Sequence, residues 1–349
     1  YGMGGESIKA EYRSKRGRRY RWTSYWEGVI PNLERRYKET HSDYSRREIE
    51  RYMAALPCQA CGGRRLRPES IAVKVAGKNI VDISFMPEDS RELIHLAKKN
   101  GVTAITDAGV APGISNLLFG KALFEFDQLH SANCYVGGLP QNPQPPWWYK
   151  SVFSPIDVIE EYTRPARFVL NGKMITKPAM TDIEEITFDN IGTLDAFNSD
   201  GLRSLLDMPI PNMVEKTLRY PGHIQKIIDL KNNGYFGSEK IKNTAESLIN
   251  DWTPDKGDYD QTIMRLEFVG IKDGKELTET FDLIDYFDKQ KNITSMARTT
   301  GYTCAAVANI ILSGDFKQNG VFTLENFGRE TKLVDNILHY LSERNIQFN

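Results

Sequence analysis

The sequence has no apolar run long enough to cross a bilayer: the longest, at 304–312, is about half the length a helical span requires. No cationic, apolar leader with a small-residue cleavage site opens it, so a soluble, cytoplasmic chain with no membrane partner is expected. Cysteine is scarce, four in 349 residues, which argues against a disulfide framework of the secreted kind. Phosphate-binding loops are missing as well. No Gly-x-x-x-x-Gly-Lys-Ser/Thr stretch occurs, which excludes a P-loop cradle for nucleotide phosphates. Nor does Gly-x-Gly-x-x-Gly follow any predicted strand, and with it goes the helix N-terminus on which a dinucleotide pyrophosphate rests. Gly2-Met3-Gly4-Gly5 lacks both the spacing and the preceding strand. There is no internal repeat and no low-complexity linker.

What is present is a globular composition, 40% hydrophobic and 26% charged, long enough to bury the cores of two domains. The net charge of −1 hides a split: residues 1–78 carry 18 Lys+Arg against 9 Asp+Glu, leaving a balance of −10 for the rest. Such asymmetry marks either a basic nucleic-acid arm on an acidic body or a solvated helical face. Tyr44, Ile49, Tyr52 and Met53 recur at helical spacing after Ser42 and before Pro57, with Arg46, Arg47 and Arg51 on the polar side, which predicts a basic amphipathic helix.

Beyond this segment the pattern changes. Apolar β-branched runs at 71–75, 80–85 and 102–106, a helix over 89–99 ended by Asn100-Gly101, and a Gly/Pro turn before a helix from Ile114 read as a parallel α/β sheet. After about residue 130, strands at 132–136, 148–153 and 168–170, with Asn171-Gly172 as a hairpin turn, suggest antiparallel pairing. A second hairpin joins 263–269 to 277–283 across Asp273-Gly274, and helices are predicted at 221–232, 239–250, 295–312 and 332–343. The fold class is thus α/β plus α+β: a partial doubly wound sheet followed by a mixed, largely antiparallel domain.

Two motifs carry chemistry. Cys58-Gln59-Ala60-Cys61-Gly62-Gly63 has the form of a zinc knuckle, yet it is half of a tetrahedral site. Cys134 falls in a predicted strand, Cys304 in an apolar helix, and His41 is at no recognised spacing, so the alternative is a reduced pair with no metal. Asp107-Ala108-Gly109-Val110-Ala111-Pro112-Gly113 comes at the carboxyl end of the 102–106 strand, where ligands sit in open α/β sheets. Gly109 and Gly113 permit close backbone approach, Pro112 stiffens the turn, and the new helix would offer N–H groups to an anion. A plain strand-to-helix turn is the competing reading.

Residues 25–37, the Glu48-Ile49-Glu50-Arg51-Tyr52-Met53 stretch, Pro57 with Cys58 and Cys61, the 63–75 segment and Gly77-Lys78-Asn79-Ile80 closely resemble an internal stretch of the UvrA family, damage-recognising ATPases of nucleotide excision repair. No ATPase site accompanies the resemblance. A different family is matched from about Asn79 onward. Tyr135-Val136-Gly137-Gly138-Leu139-Pro140, the 149–155 stretch, Ile159-Glu160-Glu161-Tyr162, Asp200-Gly201-Leu202-Arg203, residues 217–223 and Met296-Ala297-Arg298-Thr299-Thr300-Gly301 resemble the saccharopine dehydrogenase family, which includes lysine 6-dehydrogenases and carboxynorspermidine synthases. This resemblance implies NAD- or NADP-linked hydride transfer at a carbon bearing nitrogen, a small amino-acid substrate, a Rossmann domain, and an α+β substrate and dimerisation domain that makes a homodimer.

For an amino-acid substrate, Arg219 suits a bidentate clamp on the carboxylate, and the resemblance marks Thr217, Leu218 and Arg219 as substrate contacts. Asp107 is a candidate for holding the amine or taking a proton, and His223 for relaying it at neutral pH, although a strand-end Asp or helix-start His is also an ordinary cap. Arg203 and Tyr220 are further substrate-binding candidates, Gly109, Pro112 and Gly113 cofactor-binding ones, and Cys58 and Cys61 the metal half-site; Trp147, Trp148 and Tyr149 would wall the pocket or pack in a core.

The organisation expected is a UvrA-like fragment at 1–78, a Rossmann remnant at 79–130 and the substrate domain at 131–349, with the seam near 78–82. The remaining Rossmann strands lack their central partners, which leaves an exposed parallel edge and weak or absent NAD(P) binding. Three functions compete: an oxidoreductase chain defective in its cofactor half, a nucleic-acid-binding module using Arg13, Arg16, Arg18, Arg19 and Arg21 with Tyr20 and Trp22, and a fusion whose substrate domain merely folds.

Overall fold

The computed structural model describes residues 6–13, 19–26, 29–39, 74–75, 79–84, 89–237 and 240–349. The chain divides between Ala72 and Val73 into two compact units. The helix expected over 42–53 and the Cys58/Cys61 pair lie outside the described residues.

In the first unit, β1 (Glu6–Arg13) and β2 (Arg19–Trp26) pair antiparallel, Glu11 opposite Arg21 and Arg13 opposite Arg19, and α1 (Val29–Glu39) follows. No strand is expected here from the sequence alone, since the joining residues, Ser14-Lys15-Arg16-Gly17-Arg18, contain neither Asn-Gly nor Asp-Gly. Glu11 faces Arg19 at 3.5 Å and Arg21 at 2.9 Å, exposed pairs of little energetic weight.

The second unit holds two sheets. The smaller runs β14 (Gly320–Phe322), β5 (Thr103–Ile105), β4 (Asn79–Val81), β3 (Lys74–Val75); the first three are parallel and β3 is antiparallel to β4. The strand expected over 80–85 stops at Val81, because Ser84 donates from both its backbone N–H and its hydroxyl to the Asp82 carboxylate and bends the chain. A single 3₁₀ turn (Ser90–Leu93), capped by Asp89, leads into α2 (Ile94–Lys99). Around this sheet Ile80, Ile83, Leu93 and Leu96 are exposed, so aliphatic surface faces water.

The larger sheet has the order β13 (Lys275–Tyr286), β12 (Asp260–Lys272), β6 (Gln128–Pro140), β11 (Asn212–Arg219), β10 (Gly192–Asn198), β9 (Glu184–Phe188), with β7 (Ala166–Leu170) on β11 and β8 (Lys173–Lys177) on β7. Only the β6–β11 pair in it is parallel. Both hairpin turns foreseen in the sequence are there: Asn171-Gly172 and Asp273-Gly274 are all left-handed, at φ 51°, 72°, 53° and 71°, which matches the twist of the strands they join.

The strand expected over 148–153 is instead an irregular segment with Trp148 left-handed at φ 52°. Its polar groups are taken by the end of α6 (Ile241–Trp252): Ser151 N–H donates to the Trp252 carbonyl and the Lys150 ammonium to that of Thr253. With those bonds made elsewhere, no ladder forms.

Helices α3 (Ile114–Glu125), α7 (Ser295–Ser313) and α8 (Thr331–Ser342) share one core cluster with Cys134, Met264, Leu266 and Phe268 of the large sheet, where Phe119 meets Phe268 edge to face at 5.3 Å. A second cluster gathers Tyr149, Tyr162, Leu218 and Trp252, between α4 (Pro155–Thr163), α5 (His223–Asn232) and α6. At Gly120 of α3 an added Cβ would lie 2.3 Å from the Glu325 carbonyl oxygen, whereas at exposed Gly301 of α7 it would meet nothing within 4 Å. Gly120→Ala is therefore expected to lose about 2–3 kcal/mol, and Gly301→Ala to gain about 0.5–1 kcal/mol. Urea unfolding of the two variants checks both signs.

Candidate functional site

Asp107 follows β5 at the carboxyl edge of the parallel strands, and Arg203 opens a 3₁₀ turn (Arg203–Asp207) in the connection from β10 to β11. The Arg203 Nε donates to the Asp107 carboxylate at 2.9 Å, with both residues largely buried. Both are left-handed, at φ 54° and 49°. Aspartate tolerates that region; arginine rarely enters it, so the surrounding structure holds strain there. Burial raises the Asp107 carboxyl above its usual range, against the opposing pull of Arg203.

The loop from Asp107 to α3 curls back on itself. Gly109 N–H donates to the Pro112 carbonyl, Ile114 and Ser115 N–H groups to the carbonyls of Gly109 and Val110, and Gly113 N–H to the Asn116 side chain. Gly113, at φ 145°, has no room for a Cβ, which would fall 1.9 Å from the Gly109 carbonyl oxygen. This corrects the reading of Gly109, Pro112 and Gly113 as cofactor contacts: the amides meant for an anion are engaged inside the loop, and the glycines serve its self-packing. The Gly109, Gly113, Ile114 and Ser115 amides are thus not free for a dinucleotide pyrophosphate at this helix start. Asn116 also donates to Ser204 at 3.3 Å and Glu325 at 3.1 Å, tying the loop to its neighbours.

Arg219 ends β11 and is 1% exposed. Its Nε donates to the Tyr162 hydroxyl at 2.9 Å, one terminal nitrogen to the Leu218 carbonyl at 2.9 Å, and the other to Glu161 at 2.7 Å. The guanidinium also lies over the Tyr149 ring, 4.5 Å from its centroid. An open clamp for a substrate carboxylate is therefore not what the structure holds, because the fork is already closed on Glu161, whose side chain is 28% exposed.

His223 is fully buried, with Nδ1 2.8 Å from the Trp147 carbonyl and Nε2 2.9 Å from the Tyr162 hydroxyl. A carbonyl only accepts, so Nδ1 carries the proton and Nε2 accepts from Tyr162, which in turn accepts from Arg219. Burial and the nearby Arg219 charge push the imidazole down to about 3. His223 is thus a neutral link in a fixed chain at pH 7, and the proton relay expected of it is not supported by this geometry.

On a strand, alternate residues share a face, so Glu215, Thr217 and Arg219 line one side of β11 and Leu218 the other, where it packs in the second core cluster. Thr217 donates to Ser199 at 2.9 Å, and the Tyr220 hydroxyl bonds the Pro140 carbonyl and Gln261 rather than an open pocket. Asp200, beside Gly201, accepts two bonds from the Arg167 guanidinium at 2.8 and 2.9 Å. Glu215 is 6% exposed and its Oε2 has no hydrogen-bond partner. Burial, reinforced by the carboxylates of Glu161, Asp200 and Asp107, pushes its carboxyl up to about 8.

Glu215, Glu161, Asp200 and Asn116 are the site residues that sequence reasoning passed over. A strand reading of 212–219 would have placed Glu215 two positions before Thr217 on the same face. Among the described residues no cluster of His, Cys, Asp and Glu is fit to hold a metal, and Cys58 and Cys61 are outside them. A shallow hollow of about 440 Å³ lies elsewhere, lined by Asp285, Tyr286, Asp288, Arg298 and Asn345. Arg298 is consumed there by Asp285 and Asp288 at 3.1 and 3.0 Å, which fixes the start of α7 to the end of β13.

These shifts set the pH dependence of stability. Glu215, raised from 4.5 to about 8, binds its proton more tightly folded than unfolded, so its contribution is complete below pH 4.5 and is lost as pH rises toward 8. His223, lowered from 6.5 to about 3, contributes fully above pH 6.5 and loses it as pH falls toward 3. Glu215→Gln is expected to gain on the parent between pH 5 and 8 by up to about 1.4 kcal/mol per pH unit. Urea midpoints across that range test it, and a difference that does not change with pH counts against the assignment.

Residues 109–346 match the family profile of the saccharopine dehydrogenase C-terminal domain, and residues 1–51 that of the UvrA DNA-binding domain. The UvrABC system protein A of Brucella abortus biovar 1 (strain 9-941) is 52% identical over 86 residues, 25% of this chain and 9% of that protein. The chain thus spans about a tenth of the length of the curated relatives it matches. Among solved structures, the saccharopine dehydrogenase (L-Glu forming) of Saccharomyces cerevisiae superposes with a TM-score of 0.64 at 20% identity, over 80% of both chains. The homospermidine synthase of Legionella pneumophila, in complex with NAD, gives 0.52 at 12% identity, over 82% of this chain and 79% of that one. These likenesses show a common fold. With its profile match covering most of its length, the chain belongs to the saccharopine dehydrogenase C-terminal domain family, and it carries a UvrA-type segment at its start.

Proposed function

We propose that residues 79–349 are the substrate-binding body of an amino-acid dehydrogenase acting at a carbon–nitrogen bond, and that this chain does not seat its dinucleotide. The observation that carries the reading is the acid-rich cluster formed by the end of β5, α4, the β10–β11 connection and β11, Asp107 with Arg203, Glu161 with Arg219, and buried Glu215, in a chain of this family. Carboxylates there suit a substrate amine. For the substrate carboxylate the planar fork of Arg219 remains the matching partner, reached by displacing the partly exposed Glu161. NAD or NADP would supply the hydride acceptor in a complete enzyme. The engaged amides of Gly109, Gly113, Ile114 and Ser115 argue against its pyrophosphate binding here.

A second reading has its own support in the UvrA DNA-binding profile over 1–51. Arg19 and Arg21 are well exposed on β2, and the sequence beside them adds Arg13, Arg16 and Arg18, positive charge suited to phosphates.

Isothermal titration with NADH and NADPH is expected to show no micromolar binding, and addition of lysine or saccharopine with NAD(P) no reduction; micromolar affinity for either nucleotide overturns the first part. For the second reading, labelled DNA should be retarded at low salt and released as salt rises. Retardation absent at low salt removes it.

A further inference from the structure

Three carboxylates of the cluster each have a guanidinium: Asp107 has Arg203 at 2.9 Å, Glu161 has Arg219 at 2.7 Å, and Asp200 has Arg167 at 2.8 Å. Glu215 is the exception. It lies on β11 among them, and among the described residues it makes no ion pair. Its Oε2 is sealed from water without a hydrogen-bond partner. The carboxylate cannot swing away on the side of Gly201, whose backbone abuts it so closely that a Cβ at that glycine would fall 1.5 Å from Oε1. The groups facing it are Glu161 from α4, Asp200 and Arg203 from the β10–β11 connection, and Asp107 from the end of β5, with Cys134 beside it on β6. Arg203, whose charge also reaches Glu215, is hydrogen-bonded to Asp107.

An unpaired buried carboxyl amid paired ones is one cation short. We propose that Glu215 is the ammonium-binding residue of the site, and that a primary ammonium group of the substrate takes the place beside it that an arginine takes beside each of the other three. This deepens the reading of the chain as an amino-acid-binding body and rests on it. A primary ammonium brings one positive charge and three donors, which would hold Glu215 as a carboxylate and supply its missing hydrogen bond. The proton count is fixed by the exchange. The neutral Glu215 carboxyl gives its proton to solvent, the carboxylate left behind pairs with the incoming ammonium, and no bond to carbon changes. Because the resting carboxyl is raised to about 8, ligand binding at pH 7 should release about 0.9 proton, declining to about 0.1 at pH 9.

Calorimetry of the full chain with L-lysine, and in parallel with saccharopine, at pH 7 in buffers of different ionisation enthalpy counts that proton. The expected result is release of nearly one proton per lysine, none on titration with hexanoate, and loss of the infrared carbonyl band of a protonated carboxylic acid when lysine is added. Glu215→Gln should bind lysine about tenfold more weakly and release no proton. If lysine binds with no proton released and no loss of the infrared band, or if Glu215→Gln releases as many protons as the parent, the role of Glu215 is overturned while the amino-acid-binding reading stands. If neither lysine nor saccharopine binds at all, both fall together. The infrared measurement on the parent chain decides the matter even where the variant does not fold.

Discussion

Strand β11 crosses the large sheet beside β6 and β10, and one of its faces is polar although it is buried. Charge taken out of water is costly unless each ion finds a partner, and the surrounding elements are arranged to supply those partners. α4 brings Glu161 and Tyr162 to Arg219, α5 brings His223 to Tyr162, and the 147–153 segment brings the Trp147 carbonyl to His223. Each donor in that series has an acceptor, which fixes the tautomer of the histidine and the side on which each helix must sit. The irregular course of 147–153 follows from the same requirement, since an ordinary strand there would withdraw the carbonyl on which the series ends.

Much of the architecture was legible where local chemistry is strong. The hairpin turns at Asn171-Gly172 and Asp273-Gly274, the helix stop at Asn100-Gly101 and the long α7 all follow from short-range signals, because left-handed turn residues and helix periodicity act within a few residues. Strands β9, β10 and β11 were not read, since Glu184, Glu185, Asp195, Glu215 and Lys216 interrupt the apolar alternation that marks a strand. The β1–β2 hairpin was missed because its connection carries neither Asn-Gly nor Asp-Gly.

Legibility of the site ran the other way. Asp107, Arg203, Thr217 and Arg219 were singled out one by one, and the side chains they meet were not, because pairing across Asp107–Arg203 or Glu161–Arg219 joins residues far apart in the chain. Roles were harder still. Whether Arg219 is open or already satisfied, and whether His223 titrates, depends on burial and on which oxygen lies nearby, neither of which is written in the residue itself. Gly109 and Gly113 show the same limit: glycine announces a close approach, but what approaches here is the loop's own backbone.

Gly120 on α3 and Gly328 after the 3₁₀ turn Leu324–Phe327 meet backbone against backbone: a methyl on Gly120 strikes Glu325, and one on Gly328 strikes Gly120 and Lys121 at 2.2–2.5 Å. Neither position can be enlarged first and compensated second, since the obstacle in both cases is main chain, which no neighbouring side chain can trim. One turn up the helix, Asn116 holds the Glu325 carboxylate, so whatever shifted this contact would also move the loop that carries Asp107. Sequence drift at the two glycines is thereby frozen from both directions, and the register between the first helix of this unit's core and its C-terminal turn is set by the absence of two side chains.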